Sequence, residues 1–434
     1  MLRSLVTLAA ALAFLGAAAG PTLGAATTTV YSSGDLAVAI PDGGVLEQPL
    51  SVPDGGPIAD VDVRVRLAHP NDGDLELTIV GADGTTVLLA KRRGGRGDDY
   101  GKGAESCAGK PTVFDDEAPW TSDPIHLATP PFAGPHWGEE FLGAFDGLEG
   151  KGDWKLRVRD ARAGNAGILL CFELVVTRVE PTVKVAESAD VRAELSYREY
   201  DWNFTHVTLT IARAGETLLE EKIARACANC FALVARDRPL AVRDLDGDGE
   251  PEALLDLYTG GAHCCFYSRI YRYDPAANAY DPSVHWWRNV GYRLADLDGD
   301  GRPELRSWDD RFAYVFSCYA CSWFPPQIWR YRDGRLVDVT RSYPALVRAD
   351  AQRAWRSYLR LRDRRGYDVR AVLAAYAADR ALLGELGAAW KQLLAAERRG
   401  DLEEPGTGTD SIWPEGEEYL AALRRFLRET GYLR

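Results

Sequence analysis

The chain has 434 residues, of which 46% are hydrophobic and 26% charged. That balance excludes disordered and collagen-like classes, and the length exceeds what one hydrophobic core usually serves. The formal net charge of −13 argues against a nucleic-acid partner and suits a soluble surface that attracts cations.

Residues 1–26 read as a secretory signal peptide. A short positive start, Met1-Leu-Arg, precedes an apolar Ala/Leu run to about Ala19, and small residues then reach Ala26. An uncleaved anchor is the alternative, although the run is marginal for crossing a bilayer. No later stretch is long and apolar enough to span. The expected location is therefore extracellular or periplasmic, and the eight cysteines are expected to be mostly oxidised.

Residues 27–181 carry short alternating strands broken by Gly, Pro and Asp turns, without a helical stretch. Ile58 to Leu67 alternates apolar and polar residues as a half-buried strand does. Leu75–Val80, Trp154–Asp160 and Leu169–Val176 continue the pattern, which predicts a β-sandwich. Cys107 and Cys171, far from the other cysteines, are expected to pair. The run Val65 to His69, then Gly73-Asp74-Leu75, Gly84-Thr85, Phe114 to Ala118, Gly150 to Asp160 and Asn165-Ala-Gly167 resembles the P-domain (P/Homo B domain) of proprotein convertases and related subtilisin-like peptidases. The resemblance implies a jelly-roll sandwich that, in that family, stabilises a neighbouring catalytic domain. It departs from the family in one respect: only the leader precedes the module, and no subtilisin-type catalytic motif is present. His69, Asp72 and Asp74 share one turn with no nucleophile motif beside them, so His69 reads as a hydrogen-bonded turn residue. Asp74, Asp115 and Asp116 form a candidate structural calcium site.

Residues 182–345 open with strands at Ala193–Tyr197 and His206–Ile211 and a hairpin turn at Arg213–Glu216. An Asp-rich loop then occurs twice, Asp244 to Glu252 and Asp296 to Glu304. Carboxylates alternating with small residues wrap oxygen ligands around a hard cation such as Ca²⁺. Asp244, Asp246 and Asp248, and likewise Asp296, Asp298 and Asp300, would give side-chain oxygens. The carbonyls of Glu250 and Arg302 would add another, and Glu252 and Glu304 would close the shell. A pair of plain Asp-Gly surface turns is the simpler alternative. Position twelve is Leu255 or Ser307 and not the bidentate Glu of an EF-hand, so the loops are expected to join strands.

After the loops, Arg269-Ile-Tyr-Arg-Tyr273 aligns with Gln327-Ile-Trp-Arg-Tyr331, giving a self-similar unit of about fifty residues, a period typical of blades or stacked hairpins. The loops resemble the calcium hairpins of FG-GAP or VCBS repeats, which implies acids at one, three, five and nine as the ligand set. Ala253–Tyr258 is read as a strand, with a helix as the alternative. Cys227, Cys230, Cys264 and Cys265 have two readings. One is two disulfides stapling the segment after Ile223 to the Cys264-Cys265 turn, and the other is a four-thiolate zinc site with His263 as a substitute ligand. Cys318 and Cys321 would pair locally or stay buried. Trp286, Trp287, Trp308, Trp323 and Trp329 are read first as core, then as a carbohydrate or peptide platform. With its Thr259-Gly-Gly-Ala-His-Cys-Cys265 spelling, the module is similar to uncharacterised exported bacterial proteins.

Residues 346–434 carry helical periodicity at Ala349–Leu361, Val369–Leu393 and Glu415–Thr430. Asp379 and Glu418 read as solvated acids. The chain is thus expected to be mainly β: a jelly-roll sandwich, a two-repeat propeller-like hairpin module and a helical C-terminal segment. The function expected is an exported calcium-binding accessory or binding protein, with an exported peptidase, a peptide or a carbohydrate as partner. The alternative is a protease-related or other hydrolase, for which no nucleophile, base and orienting group can be assigned.

Overall fold

The computed structural model describes residues 25–201, 203–227, 232–235, 238–261, 264–364, 367–403 and 413–433. Most of the expected leader, together with Cys230 and His263, lies outside the described residues. The fold is mainly β with a helical C-terminal segment, as the periodicities predict. The chain divides into two compact units, one of residues 1–182 with Tyr197–Thr205 and one of Val183–Ser196 with His206–Arg434.

The first unit is a β-sandwich. One sheet runs Ala26–Ser32, Gly167–Val179, Asp60–Ala68, Thr112–Phe114 and Gly134–His136, with Val38–Ile40 added on Gly167–Val179. The facing sheet runs Val45–Val52, Gly152–Asp160, Leu75–Val80 and Thr86–Lys91. In Asp60–Ala68 the odd-numbered valines 61, 63 and 65 are buried while Asp60, Asp62 and Arg64 are half-exposed, the period of two that one covered face demands. These valines share one core with Leu77, Ile79, Trp154, Leu156 and Val158 of the other sheet. Each such side chain contributes roughly 1.5–3 kcal/mol by leaving water. A disulfide ties Cys107 to Cys171 on the central strand across a separation of 64 residues. Closing a loop of that size constrains the unfolded chain by about 4 kcal/mol in the chain-entropy account. The hairpin tip Tyr197–Thr205 belongs to this unit, where Arg198 Nε donates to the Val179 carbonyl at 3.2 Å.

The second unit holds the repeats. In the first, Leu233–Val234, Glu252–Tyr258, Phe266–Asp274 and Ala279–Arg288 lie side by side, with Leu240–Arg243 also on Glu252–Tyr258. In the second the order is Arg293–Ala295, Glu304–Trp308, Pro326–Arg332 and Arg335–Asp338. Both Asp-rich loops are hairpin connections, closed by Arg243 opposite Glu252 and Ala295 opposite Glu304. They join strands, as Leu255 and Ser307 foretell. Glu252–Tyr258 is a strand whose first four residues are all buried, which is why its apolar run carries no clear period. Leu245, Leu254 and Ile270 of the first repeat share a small core with Tyr331 of the second.

Four helices follow: α1 (Pro344–Leu361), α2 (Arg370–Leu382), α3 (Leu386–Glu397) and α4 (Gly416–Glu429). They pack with Phe312 and Phe316 around one core. Two expectations are corrected here. Val369–Leu393 is not one helix, because Gly384 takes φ +75° and ends α2, a left-handed cap that glycine adopts at little steric cost. Asp379 is not solvated: it is 0% exposed on α2, the most enclosed of the four helices. Burial and the neighbouring Asp350 raise its carboxyl well above the ordinary range. No helix among the described residues is long and apolar enough to cross a membrane.

Candidate functional site: two acidic hairpin loops

Each loop gathers its three aspartates, with ligand oxygens of Asp244, Asp246 and Asp248 within 4.8 Å of one another and the same true of Asp296, Asp298 and Asp300. Backbone N–H groups hold them there. Gly247 and Gly249 donate to Asp244, and Gly299 and Gly301 donate to Asp296, at 2.6–3.0 Å. Gly247 and Gly299 both take φ +78°, which glycine tolerates and a Cβ would strain. The position-nine acids stand outside these groups of three. Glu252 and Glu304 are buried, 1% and 0% exposed, and each accepts a hydrogen bond from the loop's second residue, Leu245 at 3.0 Å and Leu297 at 2.9 Å. They pin the loop shut from below. Burial first, and the three facing aspartates of its loop second, push the Glu252 carboxyl up to about 8.

The cationic surroundings differ. In the second loop Arg330, on the strand Pro326–Arg332, reaches Asp298 at 2.7 Å and Asp300 at 3.5 Å and also bonds Glu304. Its partners hold Asp298 below the usual carboxylate range. Tyr343 completes the contact, accepting from Arg330 at 2.8 Å and donating to Asp298 at 3.1 Å. In the first loop the aligned Arg272 stands 3.4 Å from Asp248 and 4.0 Å from Asp246 and does not bond Glu252. Glu250 is paired instead with Arg213. Arg302 of the second loop lies over Gly247 of the first, so that a Cβ on Gly247 would meet its Nε at 2.5 Å. Sequence reasoning missed the part played by Arg272, Arg330 and Tyr343. Its one available signal was the arginine shared by Arg269–Tyr273 and Gln327–Tyr331.

Other expected sites are placed as follows. His69 is buried, its Nδ1 2.9 Å from the Asn71 carbonyl and its Nε2 3.6 Å from Asp160, a structural turn histidine. Asp74 and the pair Asp115 and Asp116 do not converge as a calcium site. Asp74 accepts from Asn71 and Asn165, Asp115 from the Glu117 N–H and Asp116 from the Gly143 N–H, and no three-ligand group among the described residues includes them. Asp60 and Asp62, exposed-face residues of a sandwich strand, lie near Glu117, and burial together with mutual repulsion raises all three to about 7.

The sulfurs of Cys264 and Cys265 lie against each other at the turn before Phe266–Asp274, and Cys230, which the two-staple reading needs, lies outside the described residues. Cys227 is itself in a disulfide, and Cys318 is joined to Cys321. The tryptophans do not form one platform. Trp287 packs on Tyr292 and edge-on to His285, Trp329 is also edge-on to His285, and Trp323 packs against the helical core. Trp286, stacked on Tyr267, is 45% exposed.

Comparison with known proteins places the chain. Residues 347–431 match the family model described as the sll0997 C-terminal domain. The probable thylakoid lumen protein sll0997 of Synechocystis is 32% identical over 267 residues, which cover 57% of this chain and 75% of that protein. The chain belongs to the sll0997 family. A second relative, the uncharacterized protein y4bJ of Sinorhizobium fredii, is 31% identical over 265 residues, covering 53% of this chain and 38% of that longer protein. Among solved structures, a serine protease of Aeromonas sobria in complex with its chaperone gives a TM-score of 0.24 at 16% identity, covering 36% of this chain and 28% of that one. FLHE gives 0.22 at 12% identity, covering 35% and 98%. Scores this low establish no functional relation. The matched family domain comprises the helices, outside the segments that resemble P-domains and FG-GAP repeats, so in this sll0997-family chain those two resemblances rest on their own residues.

Proposed function

We propose that the protein is an exported, calcium-stabilised binding or accessory protein whose two acidic hairpins are structural clips. The observation that carries this is the convergence of three aspartates within 4.8 Å in each loop, above a buried position-nine glutamate. The donor set is all oxygen, the chemistry a hard cation selects. Calcium would neutralise carboxylates that otherwise repel one another, and so hold each hairpin closed. Its role is scaffold, not signal, because the loops join strands and lack the helix pair an EF-hand moves. The resemblance of the loops to FG-GAP or VCBS repeats supports the same reading.

Export is supported by the form of residues 1–26, by the Cys107–Cys171 and Cys318–Cys321 disulfides, and by the lumen named for the Synechocystis relative. The partner proposed is an exported peptidase, since the sandwich residues resemble the module that supports subtilisin-like enzymes in cis. With the full chain as bait in an exported protein fraction, recovery of a peptidase is expected; recovery of none contradicts the partner reading. For calcium, limited proteolysis of chelated protein should cut within residues 238–345. Added calcium should protect that segment in the wild type, and not in the Asp246→Ala/Asp298→Ala double variant. Equal cutting with and without calcium would contradict the clip.

A further inference from the structure

Two loops of nearly one sequence are met by two different arginine arrangements. We infer that Arg330 is the built-in counter-ion of the second loop, so that calcium fills the first loop first and enters the second only by displacing Arg330. This rests on the calcium reading and adds an order to it.

The geometry is specific. The Arg330 side chain is 13% exposed, and its guanidinium touches Asp298, Asp300 and Glu304 together, the acids at positions three, five and nine. A planar guanidinium with several donors suits such a fan of carboxylates. Arg272 in the first loop is 41% exposed, and its nearest loop carboxylate oxygen is 3.4 Å away. Glu252 is enclosed, receives a backbone hydrogen bond from Leu245 and bonds no guanidinium among the described residues. A divalent ion entering the first loop therefore meets carboxylates with loosely attached compensation. One entering the second must first break charge-assisted hydrogen bonds, which are about twice as strong as neutral ones.

The displacement would also reach further. Tyr343 directly precedes α1, and its hydroxyl bridges Arg330 and Asp298. An ion coordinated by Asp298 competes with that bridge. The second loop is thus linked to the start of the helical segment, whereas among the described residues no tyrosine is seen to bond Asp246 in the first.

Isothermal titration of chelator-stripped full-length protein with calcium chloride tests this. Two phases are expected, the second weaker by roughly tenfold or more. Asp246→Ala should remove the tight phase and Asp298→Ala the weak one. Arg330→Gln should tighten the weak phase toward the strong one, while Arg272→Gln leaves the weak phase where it was. Equal affinities, the reverse assignment of phases, or a folded Arg330→Gln protein with an unchanged weak phase would overturn the inference and leave calcium binding intact. Absence of heat at both loops would overturn the calcium reading itself.

Discussion

The loops Asp244–Glu252 and Asp296–Glu304 differ only at their seventh position, Glu250 against Arg302, yet the fold does not treat them alike. The first loop is overlaid at Gly247 by an arginine of the second, and among the described residues its buried acid has no arginine partner. The second is clamped by Arg330 and Tyr343. The lesson is that a ligand-like spelling specifies a loop's shape, while strands distant in sequence specify its charge. The aspartates would be enough to draw the hairpin. Whether it is free to accept a cation is decided on another strand.

The largest contrast should come from the position-nine acids. Removing Glu304 takes the acceptor from Leu297 N–H and strips a partner from the enclosed Arg330, so Glu304→Ala should cost about 3 kcal/mol. Glu252→Ala loses only the hydrogen bond to Leu245 and relieves repulsion, and should cost about 1 kcal/mol. Urea denaturation in the presence of chelator measures both, and equal losses would erase the distinction drawn here.

A smaller contrast lies in the glycines. Gly247 and Gly299 share φ +78°, which costs a Cβ-bearing residue roughly 1 kcal/mol. A Cβ at Gly299 meets nothing within 4 Å, whereas at Gly247 it meets Arg302 at 2.5 Å. Gly247→Ala should therefore lower thermal stability further than Gly299→Ala, and an Arg302→Ala background should make the two equal.

The smallest effect expected concerns the seam between the repeats, where His285 lies edge-on to Trp287 at 4.2 Å and to Trp329 at 4.7 Å. Burial pushes its imidazole down to about 4, against about 6.5 in the unfolded chain. Between those values the unfolded state binds the proton and the folded state does not, so stability is full above pH 6.5 and falls as the pH drops toward 4. With allowance for partial exposure the loss at pH 5.5 is about 1 kcal/mol. His285→Phe should flatten this part of the stability curve; an unchanged slope would show that the seam is not titrating.

Much of the fold was legible because burial imposes a period. The valines of Asp60–Ala68 and the alternation in Val191–Tyr200 announce half-covered strands, and the Asp loops announce hairpins once position twelve fails as an EF-hand ligand. What stayed hidden depends on tertiary surroundings. Asp379 looks like any helix acid until its neighbours enclose it, and Gly384 reads as a tolerated glycine within a helix until its dihedral ends α2. At the site the clustered aspartates were legible and the arginines beside them were not. Arg330 stands on the third strand of its repeat, and nothing in that strand alone says that it faces an acid.

Whether calcium holds these hairpins is decided by the melting temperature of chelator-treated protein compared with that of the same protein in calcium. Chelation should lower the transition in the wild type and leave it unmoved in Asp246→Ala/Asp298→Ala. A wild-type melt that is the same with and without calcium would contradict it.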